Sequence, residues 1–169
     1  IFADRISELD DQPLIDATRL AGNVYYGLDF ERLSTNSGPE TASSPAGSGQ
    51  QSESGKWQAI IEGNPRQLWT GARPRTPYDA LARVSRGTGF LNLTPDPDGI
   101  IRRLPLLVRY RGAIYPSLSL RVLCDYLNVS AQQVVVKPGN SITLKDVQPV
   151  GVSGARDIVI PIDHRGSMI

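Results

Sequence analysis

The sequence predicts a single α/β domain in which a mixed, largely antiparallel sheet is flanked by at least three helices. Short runs rich in β-branched and aromatic residues alternate with turn-forming residues along most of the chain. Segments with the apolar spacing of helices lie between those runs. The 169 residues, of which 40% are hydrophobic, are enough to bury the core of one domain.

The charge balance and the cysteine count exclude several classes of protein. Eighteen Lys and Arg against 17 Asp and Glu leave a net charge of +1, whereas a nucleic-acid-binding protein needs a basic face. Cys124 is the single cysteine, which excludes an intrachain disulfide and a cysteine-based zinc site. No apolar run approaches the length of about 20 residues that a membrane-spanning helix needs.

The first predicted element is a helix. Asp10 and Asp11 are suited to cap it, Pro13 suits its first turn, and Gly22 suits its end. The apolar face is expected to contain Leu14, Ala17, Thr18 and Ala21, with Ile15 beside it.

Residues 23–30 read as a buried strand, because aromatic and β-branched residues dominate them. Residues 34–55 contain no aliphatic side chain larger than Ala, so they cannot bury enough surface to offset their ordering entropy. We expect them to form a flexible insertion within the domain. Residues 57–61 and 67–70 are short strand candidates.

A second helix is predicted to begin after Thr76. Thr76 would cap it, Pro77 would take the first helical position, and Asp79 would occupy the capping-box position. Gly87 would end it.

The next unit is predicted to be a hairpin. Residues 89–94 and 100–110 are its strands, and residues 95–99, Pro-Asp-Pro-Asp-Gly, are its loop. Period-two alternation places Arg102 on an apolar face of the return strand, while Arg103 points to the other face. The apolar neighbours of Arg102 on that face are Ile100, Leu104, Leu106 and Val108.

Pro105 removes a hydrogen-bond donor from this return strand. The strand is therefore expected to lie at an edge of the sheet or to be bulged near Pro105. An apolar edge exposed there would favour a role in dimerisation.

A third helix is predicted to open at Pro116 and Ser117. Cys124 lies on its apolar stripe, so we expect a buried, unreactive thiol. Strands are predicted at residues 133–136, 141–144 and 157–160, with a hairpin turn at Gly139 and Asn140 and a final turn and strand at residues 161–169.

Few residues suggest catalysis or cofactor binding. Asp96 and Asp98 lack the further ligands of a calcium loop, since Pro105 stands where the EF-hand pattern needs a glutamate. His164, the single histidine, is interpreted as a surface turn residue, so no Ser-His-Asp triad can be assembled. We expect no catalytic residue, no metal site and no cofactor.

The best candidates for a functional cluster are Asp98, Arg102 and Arg103. A guanidinium on an apolar strand face needs a carboxylate partner or a pocket. Pairing of Arg102 with Asp98 or another acid is favoured over capture of a ligand, and both interpretations stay open.

Four ordered motifs resemble those of a known family. Residues 96–106, DPDGIIRRLPL, resemble the D-x-DG-x-x-R-x-x-P signature of the second type of CHASE domain, the cyclase- and histidine-kinase-associated extracellular sensor. Residues 10–27, 112–120 and 160–166 are similar to its D-x-x-L…V-x-G, P-S-L-x-L and I-P-x-D-x-x-G segments. The family's first strand and helix have no counterpart here, so we expect residues 1–169 to be a sensor-domain fragment.

The resemblance implies an extracytoplasmic, periplasmic sensory module of a bacterial inner-membrane receptor. Such a receptor carries an adenylate or guanylate cyclase, histidine kinase, diguanylate cyclase or Ser/Thr kinase inside the cell, and flanking helices tether the module to the membrane. We expect an environmental or small-molecule signal, no nucleic-acid partner and a homodimer. The alternatives are a dimerisation module that binds no ligand and an enzyme.

Overall fold

The computed structural model describes residues 8–34, 55–148 and 154–168, with side chains from residue 11 onward. The predicted insertion falls almost wholly outside these ranges. Within them, three α-helices and eleven β-strands follow one another. In chain order they are α1 (Glu8–Ala21), β1 (Tyr25–Ser34), β2 (Ile60–Ile61), β3 (Trp69–Arg75), α2 (Asp79–Val84), β4 (Gly87–Phe90), β5 (Leu104–Pro105), β6 (Leu107–Tyr110), β7 (Ala113–Pro116), α3 (Leu118–Tyr126), β8 (Val134–Lys137), β9 (Ser141–Val147), β10 (Arg156–Pro161) and β11 (Ser167–Met168).

The strands form three sheets. The first has the order β4-β1-β3-β6-β7, the second β10-β9-β8-β2, and the third pairs β11 with β5. The pairs β1–β4, β3–β6 and β2–β8 are parallel, and the remaining pairs are antiparallel. The predicted class, a single α/β domain with mixed strand pairing, is confirmed, but the strands form three sheets rather than the one that the sequence predicts.

Helix α1 begins earlier than predicted. It starts at Glu8, so Asp10 and Asp11 lie within the helix rather than capping it, and Pro13 is an internal residue. The predicted end is confirmed, because Gly22 adopts a φ of 65° and its amide donates to the carbonyl of Thr18.

The buried face of α1 also differs from the predicted one. Ile15 and Thr18 are buried, whereas Leu14, Ala17 and Ala21 are exposed. The hydroxyls of Thr18 and Tyr26 lie 2.8 Å apart and share a hydrogen bond, so a polar contact with β1 accompanies the burial of this side of the helix.

Helix α2 begins at Asp79, with Tyr78 as its N-cap residue and no side-chain capping bond. The predicted cap at Thr76 is therefore wrong. Because β3 extends to Arg75, the chain stays extended through residue 78 before it turns. Gly87 does not end the helix but begins β4.

The predicted hairpin of residues 89–94 with 100–110 is wrong. Strand β4 ends at Phe90 and pairs in parallel with β1, and residues 91–103 form a loop. Gly89 allows this arrangement, since a Cβ there would lie 2.6 Å from the backbone of Leu118 at the start of α3. Close packing of α3 on β4 thus replaces the expected local pairing.

Beyond β4, the side chain of Asn92 takes over the pairing with β1. Its Nδ2 donates to the carbonyl of Phe30 at 2.6 Å, and its Oδ1 accepts the amide of Phe30 at 2.8 Å. One amide side chain therefore satisfies both backbone groups of a strand residue, as a neighbouring strand would.

Two clusters of buried side chains form the core. Phe30 is the centre of the smaller one, where its ring meets the rings of Phe90, Tyr110 and Tyr115 at tilted or edge-on angles. Cys124 belongs to the larger cluster and is fully buried, as predicted. Burial raises the pKa of its thiol to about 12.

Several local predictions for the second half are confirmed. The Ser117 side chain caps α3 by accepting the amide of Leu120. The turn between β8 and β9 contains Gly139 and Asn140, with Gly139 at a φ of 78°.

Replacing Asn92 with Asp should lower the free energy of unfolding by about 1–3 kcal/mol, because a carboxylate cannot donate to the Phe30 carbonyl and would repel it. Urea denaturation measures the loss. The matched control is Asn23→Asp, since Asn23 is exposed at the start of the same strand region. Equal stability of the two variants would show that the Asn92 pairing contributes nothing.

Candidate functional site

The loop between β4 and β5 contains a closed turn. The amide of Gly99 donates to the carbonyl of Asp96 at 2.8 Å, and the amide of Asp96 donates to the carbonyl of Ile100 at 3.0 Å. The Asp98 carboxylate accepts the amide of Ile100 at 3.1 Å. We call residues 95–99 the aspartate turn.

The prediction that Arg102 lies on an apolar strand face is wrong. Arg102 lies on this loop, where its side chain is half-exposed. The difference arises because residues 100–103 form no strand. Its predicted partner is confirmed: Nη1 donates to Asp98 Oδ1 at 3.0 Å, and Nη2 lies 2.8 Å from Asp98 Oδ2. Nη1 also donates to Asp96 at 3.2 Å, so Arg102 holds both carboxylates of the aspartate turn.

Arg103 joins the aspartate turn to a distant part of the chain. Its Nη1 donates to Asp96 Oδ1 at 2.6 Å, and its Nε lies 3.9 Å from Asp163 Oδ2. Asp96 therefore contacts a different arginine with each carboxylate oxygen. This side chain is only 17% exposed, and that of Asp163 only 13%.

Asp163 organises the segment that follows β10. Its Oδ1 accepts the amides of Arg165 at 2.8 Å and Ser167 at 2.9 Å, and its backbone carbonyl accepts the amide of Gly166. We call residues 163–167 the closing turn. Its exposed His164 lies on the surface, as predicted.

The closing turn connects the sheets. Through β11, Ser167 pairs with Pro105, and the carbonyl of Gly166 accepts the amide of Leu106. The Ser167 hydroxyl accepts a hydrogen bond from the indole of Trp69 in the first sheet. Just before the turn, the Ile162 amide donates to the Asn140 carbonyl at the β8–β9 hairpin of the second sheet.

This arrangement corrects the expectation of an exposed apolar edge at Pro105. Pro105 is buried, and β11 covers it from the side. Its lack of an N–H is tolerated because, among the described strands, β5 pairs with β11 alone.

The contacts with Arg102 shift the ionisation of Asp98. The hydrogen bond from Arg102 lowers the pKa of Asp98 below its ordinary value, and the amide of Ile100 acts in the same direction. The same contacts raise the pKa of Arg102.

Nothing in these contacts sets up catalysis. His164 accepts a hydrogen bond from Arg165, and no serine nucleophile contacts it among the described residues. Within the ranges that the structure covers, no group of three His, Cys, Asp or Glu side chains is placed to hold a metal ion. Arg103 joins the two turns through a charge-assisted hydrogen bond to Asp96 and an ionic contact with Asp163.

The two turns overlap two of the four family-like motifs, residues 96–106 and 160–166, which lie about 60 residues apart in the sequence and meet in space. A family model for the CHASE2 domain matches residues 1–169. The chain belongs to the CHASE2 domain family. CHASE2 domains are extracellular sensory modules of membrane receptors, so this chain is a sensor domain with an extracytoplasmic location and no expected catalytic role.

Comparison with curated proteins and with solved structures found no match. In the described part of this CHASE2 domain, no helix combines the length and apolar character needed to cross a bilayer.

The structure brings all three predicted residues, Asp98, Arg102 and Arg103, into one cluster and adds two that sequence reasoning missed. Asp96 and Asp163 are the missed members. Both aspartates lie within motifs that resemble those of the CHASE2 family. Their place in those motifs is the feature of the sequence that could have identified them. No local pattern indicated that Asp163 would meet Arg103.

Replacing Arg102 with Gln should raise the pKa of Asp98 towards its ordinary value, because the main cause of the lowered pKa is removed. Since the folded-state pKa lies below the unfolded one, the Arg102 contact stabilises the fold above the ordinary aspartate pKa. That contribution is lost as the pH falls through the folded-state pKa. Carboxyl-carbon NMR titration measures the change.

Asp157 provides an internal control in this titration, because its pKa is lowered chiefly by Lys145. It should titrate identically in the wild type and in Arg102→Gln. An unchanged Asp98 titration in the variant would contradict the assignment of the Arg102 contact.

Proposed function

We propose that this CHASE2 domain is the periplasmic sensory part of a bacterial inner-membrane receptor. The receptor would carry an adenylate or guanylate cyclase, histidine kinase, diguanylate cyclase or Ser/Thr kinase as its output. The family match over residues 1–169 carries the proposal. In this proposal, the signal biases two arrangements of the domain, and helices that tether it to the membrane transmit the difference.

The charge balance favours transmission over ligand capture as the role of the arginine–aspartate cluster. Arg102 and Arg103 face the carboxylates of Asp96, Asp98 and Asp163. An anionic ligand would have to displace hydrogen bonds of 2.6–3.2 Å that the chain already makes. We therefore propose that the cluster couples the two turns and that the signal acts elsewhere on the domain.

A thermal-shift panel of amino acids, dicarboxylates, sugars and inorganic phosphate tests sensing by the 169-residue chain. A ligand at a hundredfold excess over its Kd adds about 2.7 kcal/mol to the stability. Such a gain raises the Tm of a domain of this size by about 5–10 °C. A Tm rise for one compound class supports sensing of a small molecule. Absence of any shift across the panel contradicts that mode of sensing.

The full-length receptor tests the role of the cluster. Arg102→Ala with an unchanged Tm and lost output would favour a signalling or recognition role for the cluster. If signalling is lost only together with folding, the Arg102–Asp98 ion pair has a structural role.

A second candidate function is dimerisation without a ligand, with a second copy of this chain as the partner. The outer face of α3 favours it, because Val122 and Leu123 are exposed there and Tyr126 is 80% exposed. Val122 and Tyr126 lie four residues apart, on the side of α3 opposite the buried Leu120 and Cys124, and Leu123 lies at the flank of that side.

If α3 forms the dimer contact, Tyr126→Asp should weaken self-association at least about tenfold, because it would bury an unpaired charge. Sedimentation equilibrium measures the dissociation constant. Leu20→Asp is the matched control, since Leu20 is 90% exposed on α1. A wild type that stays monomeric, or equal weakening by both variants, would argue against this candidate.

A further inference from the structure

Arg103 faces two carboxylates at unequal distances. Its Nη1 lies 2.6 Å from Asp96 Oδ1, within a strong charge-assisted hydrogen bond. Its Nε lies 3.9 Å from Asp163 Oδ2, too far for a hydrogen bond but close enough for ionic attraction. The guanidinium would have to move by only about 1 Å to hydrogen-bond Asp163 instead.

The two carboxylate oxygens of Asp163 differ in their contacts. Oδ1 accepts the amides of Arg165 and Ser167, which fixes the carboxylate within the closing turn. In the described structure, the ionic contact recorded for Oδ2 is the one with Arg103. The side chain as a whole is only 13% exposed, and a closer guanidinium would add a charge-assisted hydrogen bond to this oxygen.

Asp96 would stay paired if Arg103 moved. Its second oxygen, Oδ2, already accepts a hydrogen bond from Arg102 at 3.2 Å. Arg102 in turn is held by Asp98. The transfer of Arg103 therefore leaves no carboxylate of the cluster without a guanidinium, which is the condition for two arrangements of similar free energy.

We infer that Arg103 is a two-position switch between the aspartate turn and the closing turn. In the arrangement described here its guanidinium hydrogen-bonds Asp96. In the second arrangement it hydrogen-bonds Asp163 and tightens the closing turn together with β11. The switch itself is a property of the domain, and only its role in output rests on the proposed function.

Hydrogen exchange of single amides in the 169-residue chain tests the switch. The reporter amides are those of Arg165 and Ser167, bonded to Asp163 Oδ1, and that of Leu106, bonded to Gly166. Arg103→Gln should speed their exchange about tenfold relative to Ile142 in the core strand β9. The matched control is Arg19→Gln, because Arg19 pairs with Asp16 on α1 and is not part of the cluster, and it should leave the reporters within about twofold.

Asp96→Asn separates a switch from a fixed bridge. Neutralising Asp96 should release Arg103 towards Asp163, so the reporter amides should exchange more slowly than in the wild type. A fixed bridge anchored on Asp96 predicts the opposite. The control Asp98→Asn removes a carboxylate that contacts Arg102 but has no recorded contact with Arg103, and it should leave the reporters unchanged.

If Asp96→Asn does not fold, Asp163→Asn decides the question. Asparagine keeps an oxygen for the two amides but loses the attraction for Arg103, so the reporters should exchange as in Arg103→Gln. Adding Arg103→Gln to Asp163→Asn should then change nothing further. Faster exchange in Asp96→Asn, equal effects of Arg19→Gln and Arg103→Gln, or additive effects in the double variant would each overturn the switch.

The output of the full-length receptor separates the switch from its proposed role. Altered output in Arg103→Gln, but not in a variant of the Lys145–Asp157 ion pair, would support a role in signalling. Unchanged output with the expected exchange behaviour would leave the switch standing and refute its role in transmission.

Discussion

The closing turn depends on one carboxylate, and the arrangement of the motifs depends on the closing turn. Asp163 folds residues 163–167 by accepting two backbone amides with a single oxygen. That fold directs Ser167 and Met168 back along β5 and brings the carbonyl of Gly166 to the amide of Leu106. Without this turn, β11 would not pair with β5, and Pro105 would lie at an open edge of the sheet.

Electrostatics holds the cluster beside this turn together despite its exposed arginines. Isolated surface ion pairs contribute little to stability, but here the arginine–aspartate contacts share members. Asp96 links Arg102 to Arg103, and its side chain is largely shielded from water. Shared partners restrict each other's geometry, so the loop of residues 91–103 can hold a defined shape without strand pairing.

A sensor domain requires contacts that can exist in more than one arrangement. A group fully satisfied in one arrangement resists change, whereas a group attracted by two acceptors allows two arrangements of similar free energy. Arg103 is of the second kind, and its two acceptors belong to parts of the chain that the fold otherwise joins through backbone pairing. Membership of the CHASE2 family gives that property a functional context.

The residues alone determined the features that depend on near neighbours. Gly22 ends α1, Ser117 caps α3, Gly139 turns the β8–β9 hairpin and Arg102 pairs with Asp98, because each follows from backbone sterics or from hydrogen bonds within a few residues. The tertiary structure alone decided the rest: β4 pairs with β1, Asn92 substitutes for a strand, and Arg103 meets Asp163. These contacts join residues about 60 apart, and the free energy that brings such distant segments together comes from burial summed over the whole core, which no local pattern encodes.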